Sequence, residues 1–216
     1  AASDVYKRQV QEEWKLIMAM NFKVLENKEQ VAVYTADILR KQFNNNPTTI
    51  AGIHLSHEYA PVLDELKKNV DRHAVDFSQI NILDYDDNRS FYDALGVPEG
   101  QIYEISFDDD AESFIDEKIK TKENKGKLIT QVASISDEGK TDVSVRQGLQ
   151  KAREVILVIT GAEKKEAVKR LYEENGKTNF EPADLKTHRM VNVVLDEAAA
   201  EGLPEDVKHY FTAHFA

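Results

Sequence analysis

Apolar positions along this chain change their spacing repeatedly, from short continuous runs to stripes three and four residues apart. Phe22, Val24 and Leu25 open a brief apolar run, and from 28 to 43 the apolar residues Val31, Tyr34, Ala36, Ile38, Leu39 and Phe43 fall on one helical stripe. Asn44, Asn45, Asn46 and Pro47 stop that stripe. The same alternation continues to the end. It predicts strands over 22–25, 48–55, 79–85, 101–107, 127–135, 154–160 and 190–195. Helices are expected over 28–43, 58–70, 90–95 (ended by Gly96), 108–120, 143–152, 162–174 and 204–215. The run 154–160, EVILVIT, is apolar on both faces and therefore reads as a central strand.

Strand–helix alternation predicts a three-layer α/β/α domain, a mostly parallel Rossmann-like sheet with helices on both faces. Sheets of this kind bind ligands outside the carboxyl ends of their strands. That rule points to the loops after Leu55, Tyr85, Ile135 and Thr160. Residues 1–19 mix charges with a short apolar patch and precede the first clean strand, so they read as an extension, with 20–216 as one domain.

Composition narrows the partners. The chain has 216 residues, 41% of them hydrophobic and 31% charged, enough for one well-buried core. It has no cysteine, which rules out disulfides and thiolate metal sites and suits a reducing, cytoplasmic setting. A net charge of -11 disfavours nucleic acid and anionic membranes as partners. No apolar run approaches the roughly 20 residues of a bilayer-spanning helix. A phosphorylated small molecule stays compatible, because backbone N–H groups and one lysine suffice to hold a phosphate.

The candidate chemistry lies on the predicted carboxyl-edge loops. Asp84, Asp86 and Asp87 come at the end of the third strand, where three aspartates in close succession read as an exposed turn capping the next helix. Lys164 sits one turn past the central strand and its glycine, as an anion anchor or as a solvated member of the group Lys164, Lys165 and Lys169. Of the six histidines, His57 is the one placed on a ligand loop. Nucleotide and metal motifs (G-x-x-x-x-G-K-[ST], G-x-G-x-x-G, paired histidines) and the G-x-S-x-G elbow are absent, so no cofactor is expected.

Particular segments resemble the glucosamine-6-phosphate isomerase (deaminase)/6-phosphogluconolactonase family. GLQKAREVILVITGAEKKEAVKRL (148–171) is similar to its helix–strand–glycine–helix unit, and Pro182-Ala183, Leu185, His188 and VNVVLDEAAA (191–200) to the unit that follows. AGIHLSHEYAPVLDEL (51–66) is similar to its phosphate loop and helix, with the small loop residues replaced; Ser56 keeps a hydroxyl and Glu58 would repel a phosphate. DFSQINILDYDDN (76–88) resembles the segment carrying the proton-abstracting aspartate.

The resemblance implies Asp86 and Asp87 as the catalytic pair, with Asp84 as competitor. Ser56, Lys164 and Arg146 become the phosphate contacts, Arg146 alternatively filling the old pocket, and His57 and Glu58 further lining. His188 falls on a family position with a structural role. The family's Gly-His motif and the insertion after it are missing near Ser136, where the chain runs through Ser136-Asp137-Glu138-Gly139-Lys140 into the next helix. Loss of one such group commonly costs orders of magnitude in rate. The expectation is therefore a carbohydrate-metabolism protein that binds or acts on a sugar phosphate but is no competent deaminase. The alternative is a catalytically silent regulatory or partner-binding relative, its cleft filled by Arg146, His57 and Tyr59. Homo-oligomerisation is compatible with either.

Overall fold

The computed structural model describes residues 20–105, 117, 128–140, 148–174, 181–188 and 190–213. The expected strands are present as β1 (Met20–Leu25), β2 (Ile50–His54), β3 (Asn81–Asp84), β4 (Ile102–Glu104), β5 (Leu128–Ser134), β6 (Glu154–Ile159) and β7 (Val191–Asp196). They form one seven-stranded sheet in the order β1-β7-β6-β5-β2-β3-β4, and every pairing is parallel.

Helices α1 (Lys28–Asn45), α2 (Ala60–Arg72) and α3 (Arg89–Leu95) connect the first strands. Helix α1 begins where Asn27 caps the Gln30 N–H, and α3 ends on Gly96 at φ 89, the stop expected there. After β6 come a 3-10 turn (Ala162–Lys164) and α4 (Lys165–Glu173); after β7 come α5 (Glu197–Ala200) and α6 (Glu205–Ala213). The helix expected over 108–120 lies outside the described residues apart from Glu117, and of 143–152 only 148–152 are described, helical over 148–151. Residues 1–19 also lie outside them. The 3-10 stretch Glu181–Thr187 and the short α5 carry no helical stripe and were not foreseen.

Strand β6 shows how the layers form. Val155, Leu157 and Ile159 face the core with α4 and α6, whereas Ile156 and Val158 face the core with α1, α2 and α3. All six of its residues are buried, as expected of a central parallel strand. At the amino end of this strand the buried Glu154 carboxylate is satisfied by Gln42 and by Asn192 at 2.7 Å. No helix among the described residues is long and apolar enough to cross a membrane.

The strand order decides where a ligand fits. From β2 the chain steps outward to β3 and β4, then returns to place β5 on the other side of β2 and proceeds through β6 and β7 towards β1. The connections leave β2 and β5 in opposite directions. The carboxyl ends of these two neighbours therefore open a crevice at a topological switch point.

Candidate functional site

A cleft of about 640 Å³ occupies that switch point, lined by His54, Ser56, His57, Glu58, Ser134, Ile135, Ser136, Asp137 and Lys140. One wall is the end of β2 and the turn after it; the other is the end of β5 and the turn 136–140. The two walls are tied together. The Ser56 N–H donates to Ser134 Oγ at 3.2 Å, and the two hydroxyls lie 3.4 Å apart. The second turn is closed by the Gly139 N–H to Ser136 O and the Ser136 N–H to Lys140 O.

Beneath the cleft, Gln131 of β5 is fully buried between two glycines. A Cβ on Gly52 would stand 1.9 Å from Gln131 Oε1, and one on Gly148 2.4 Å from it. A side chain at either glycine would displace the Gln131 amide from this position. The Tyr85 hydroxyl reaches Gln131 Oε1 at 3.5 Å, and burial raises the pKa of that phenol.

The three aspartates at the end of β3 and just after it have different fates. Asp84 is buried to 1% exposure and accepts the backbone N–H of Asn88 at 2.7 Å and of Asp86 at 3.2 Å. Burial pushes its carboxyl up to about 6, against the lowering effect of those two bonds; the neighbouring Asp86 and Asp87 charges add to the rise. Asp86 is half-buried and turns back to β2. Its Oδ2 accepts the Leu55 N–H at 2.8 Å, and its Oδ1 lies 2.8 Å from His54 Nδ1. Asp87 is exposed and holds φ 56, the left-handed turn that returns the chain. The reading of all three as one exposed turn is corrected: burial keeps Asp84 and Asp86 inside, and Asn88, not an aspartate, stands at the N-cap of α3.

Lys164 is not solvated; the structure buries it completely. Gly161, at φ 99, swings the chain from β6 so that the following 3-10 turn aims Lys164 inward. Its Nζ lies 2.8 Å from Glu58 Oε1, 3.4 Å from Asp137 Oδ1 and 3.8 Å from Glu163 Oε1, above the Tyr59 ring. Burial draws the ammonium's pKa down, and the Glu58 bond with the Tyr59 and Asp137 contacts outweighs it, leaving the pKa raised. Tyr59 is itself buried, its hydroxyl accepting the Thr160 N–H at 3.1 Å. Glu58 and Asp137 line the cleft, so Lys164 meets it through its carboxylate partners.

Of the residues expected from the sequence, Ser56, His57 and Glu58 line the cleft, Asp86 stands behind His54, and Lys164 behind Glu58 and Asp137. The Ser56 hydroxyl donates to Glu58 Oε1 at 3.2 Å. Arg146 lies outside the described residues. His188 holds the Ala152 carbonyl at 2.7 Å through Nε2, a packing role. His54 and Ser134 were missed. Each closes a strand and reads as core, and only the adjacency of β2 and β5 turns both towards one crevice.

No family model matches the chain. A segment of 57 residues, 26% of this chain, is 33% identical to a glucosamine-6-phosphate deaminase of Oceanobacillus iheyensis, and it covers 23% of that enzyme's length. Among solved structures, a monomeric glucosamine-6-phosphate deaminase superposes with a TM-score of 0.70 at 16% identity, over 85% of this chain and 100% of the other. A 6-phosphogluconolactonase from Plasmodium vivax superposes at 0.65 with 12% identity, over 86% and 94%. A 6-phosphogluconolactonase from Trypanosoma brucei does so at 0.60 with 12% identity, over 85% and 98%. The likeness read from the sequence is borne out at the level of the fold.

Proposed function

We propose that this chain, which has the fold of a glucosamine-6-phosphate deaminase and of 6-phosphogluconolactonases, binds a sugar phosphate in the crevice between β2 and β5 and does not work as a deaminase. The observation that carries this reading is the switch-point cleft. It is about 640 Å³ in volume and lined by three serines, two histidines, Lys140, the carboxylates of Glu58 and Asp137, and Ile135. Hydroxyls and ring nitrogens at that density suit a polyhydroxylated ligand, and the fold's solved neighbours are named for acting on sugar phosphates.

Among the described residues, Lys164 is a buried cation that meets the cleft wall through Glu58 and Asp137. In this reading a dianionic phosphate takes the place of Glu58 at Lys164 Nζ, within the short bond that Glu58 now makes. Glu58 is therefore a competitor, and removing its charge favours the ligand. The segment carrying Asp86 serves the sugar end, and the missing Gly-His motif removes the deaminase chemistry.

A second reading has its own observation. The Lys164 ammonium is already balanced by Glu58, Asp137 and Glu163, as in a protein that has closed its anion site and kept the fold for a partner or a regulatory role.

Thermal shift separates the two. Glucosamine-6-phosphate, 6-phosphogluconate, fructose-6-phosphate and ribose-5-phosphate are screened against inorganic phosphate. A ligand at a hundred times its dissociation constant stabilises the fold by about 2.7 kcal/mol. The expected result is a selective shift, larger in Glu58→Gln and lost in Lys164→Met, which keeps the aliphatic stem. No shift at millimolar ligand in either the wild type or Glu58→Gln rejects the sugar-phosphate reading and leaves the second.

A further inference from the structure

Glu58 stands between two cavities. It lines the crevice at β2 and β5, and it also lines a smaller cavity of about 50 Å³ at the first turns of α1 and α2. Lys28 and Glu29 of α1, Pro61 and Val62 of α2, and Tyr59 and Thr160 line that second space with it. We propose that Glu58 is a two-position gate. Its carboxylate holds Lys164 until the phosphate of a ligand takes that ammonium, and then turns into the smaller cavity against Lys28. The event that moves the gate rests on the sugar-phosphate reading above.

Three observations converge. First, the present hold falls on one oxygen. Glu58 Oε1 lies 2.8 Å from Lys164 Nζ and accepts the Ser56 hydroxyl at 3.2 Å. The side chain is 45% exposed, so it can change rotamer without moving the backbone. Second, a dianion at Lys164 Nζ and a carboxylate at its present place would repel each other, so ligand entry requires Glu58 to leave. Lys164 keeps Asp137 at 3.4 Å and the Tyr59 ring when it does.

Third, the smaller cavity suits the carboxylate. A single water needs about 10–15 Å³ of such space, so a three-atom carboxylate fits. Lys28 supplies the opposite charge; it is exposed and forms no ion pair among the described residues. Glu29, the like charge on the same turn, is exposed, where water and salt screen it.

The gate makes the crevice selective. An uncharged sugar cannot take the Lys164 ammonium, so Glu58 stays and the site remains closed to it. Lys28 does not line the crevice, yet it becomes a determinant of affinity for phosphorylated ligands.

The test is a double-mutant cycle on the full chain. Glucosamine-6-phosphate is titrated calorimetrically into the wild type, Lys28→Gln, Glu58→Gln and the double variant. Lys28→Gln is expected to weaken binding about two- to fivefold in the wild-type background, as loss of an exposed ion pair does. It is expected to change nothing in the Glu58→Gln background, where no carboxylate needs a place. Equal weakening in both backgrounds would mean that Lys28 attracts the phosphate at long range, and overturns the gate; so does no weakening in either. A crystal structure of Lys164→Met decides the matter without a ligand. With its ammonium partner gone, the Glu58 carboxylate is expected within about 4 Å of Lys28 Nζ. A carboxylate that stays in the crevice or stands in open solvent overturns the proposal. Where Lys164→Met does not fold, the cycle decides. Where glucosamine-6-phosphate binds none of the four proteins, the sugar-phosphate reading fails, and the Lys164→Met structure decides the gate by itself.

Discussion

Asp84 is the residue whose environment departs furthest from what a run of aspartates suggests. An aspartate in the unfolded chain titrates near 4, whereas burial holds this one at about 6. Between those two values the folded protein binds more protons than the unfolded chain. Stability therefore falls as the pH rises through that window, by about 3 kcal/mol in all. Asp84→Asn removes the ionisation and leaves an oxygen for one of the two backbone N–H groups that Asp84 now receives. Urea unfolding is expected to show the variant gaining on the wild type by ~2–3 kcal/mol between about pH 4.5 and pH 7.5. A constant difference across that range would show that Asp84 titrates as an ordinary aspartate. The buried Tyr92 hydroxyl has no hydrogen-bond partner among the described residues, and burial first, then the Asp84 and Asp86 charges, raise its pKa.

At the scale of elements, the polar contacts that matter most are those that finish helices and join loops to the sheet. Asp196 ends β7, caps α5 through the Ala199 N–H at 2.9 Å and accepts the Gly161 N–H at 3.1 Å, so one carboxylate fixes the turn that delivers Lys164. Lys186 does the corresponding work at the far end of α4. Its buried ammonium donates to the carbonyls of Tyr172 and Glu174, where the helix leaves backbone oxygens unpaired. Lys186→Met keeps the apolar stem and removes both bonds, and is expected to cost about 1.5–3 kcal/mol in denaturant unfolding. Amide exchange should quicken in α4 and not in α1. A variant as stable as the wild type would mean that water caps these carbonyls equally well.

Over the whole molecule, the charge of -11 sits on a fold whose interior is apolar on both sides of the sheet. Like charges on one compact body repel, and salt screens that repulsion within about 10 Å at 0.1 M. The melting temperature is therefore expected to rise with sodium chloride between about 0.01 M and 0.1 M. A fall would show that exposed ion pairs such as Arg89–Glu104 and Lys67–Asp71 outweigh the net repulsion.

The chain's periodicity by itself determined the run of strands and helices, the central place of β6 and the edge of the sheet at which loops gather, because burial of apolar faces writes itself locally along the sequence. Ser56, His57, Glu58 and the aspartates after β3 were legible for the same reason: they follow strands. The strand order was not. Strands buried on both faces look alike, and nothing local says that β5 returns to lie beside β2. That pairing makes neighbours of His54 and Ser134; β3 beside β2 brings Asp86 back onto Leu55, and β6 beside β5 lets Lys164 meet Asp137 and Glu58. The site is a set of contacts between residues far apart in the chain, and only tertiary packing chooses such contacts.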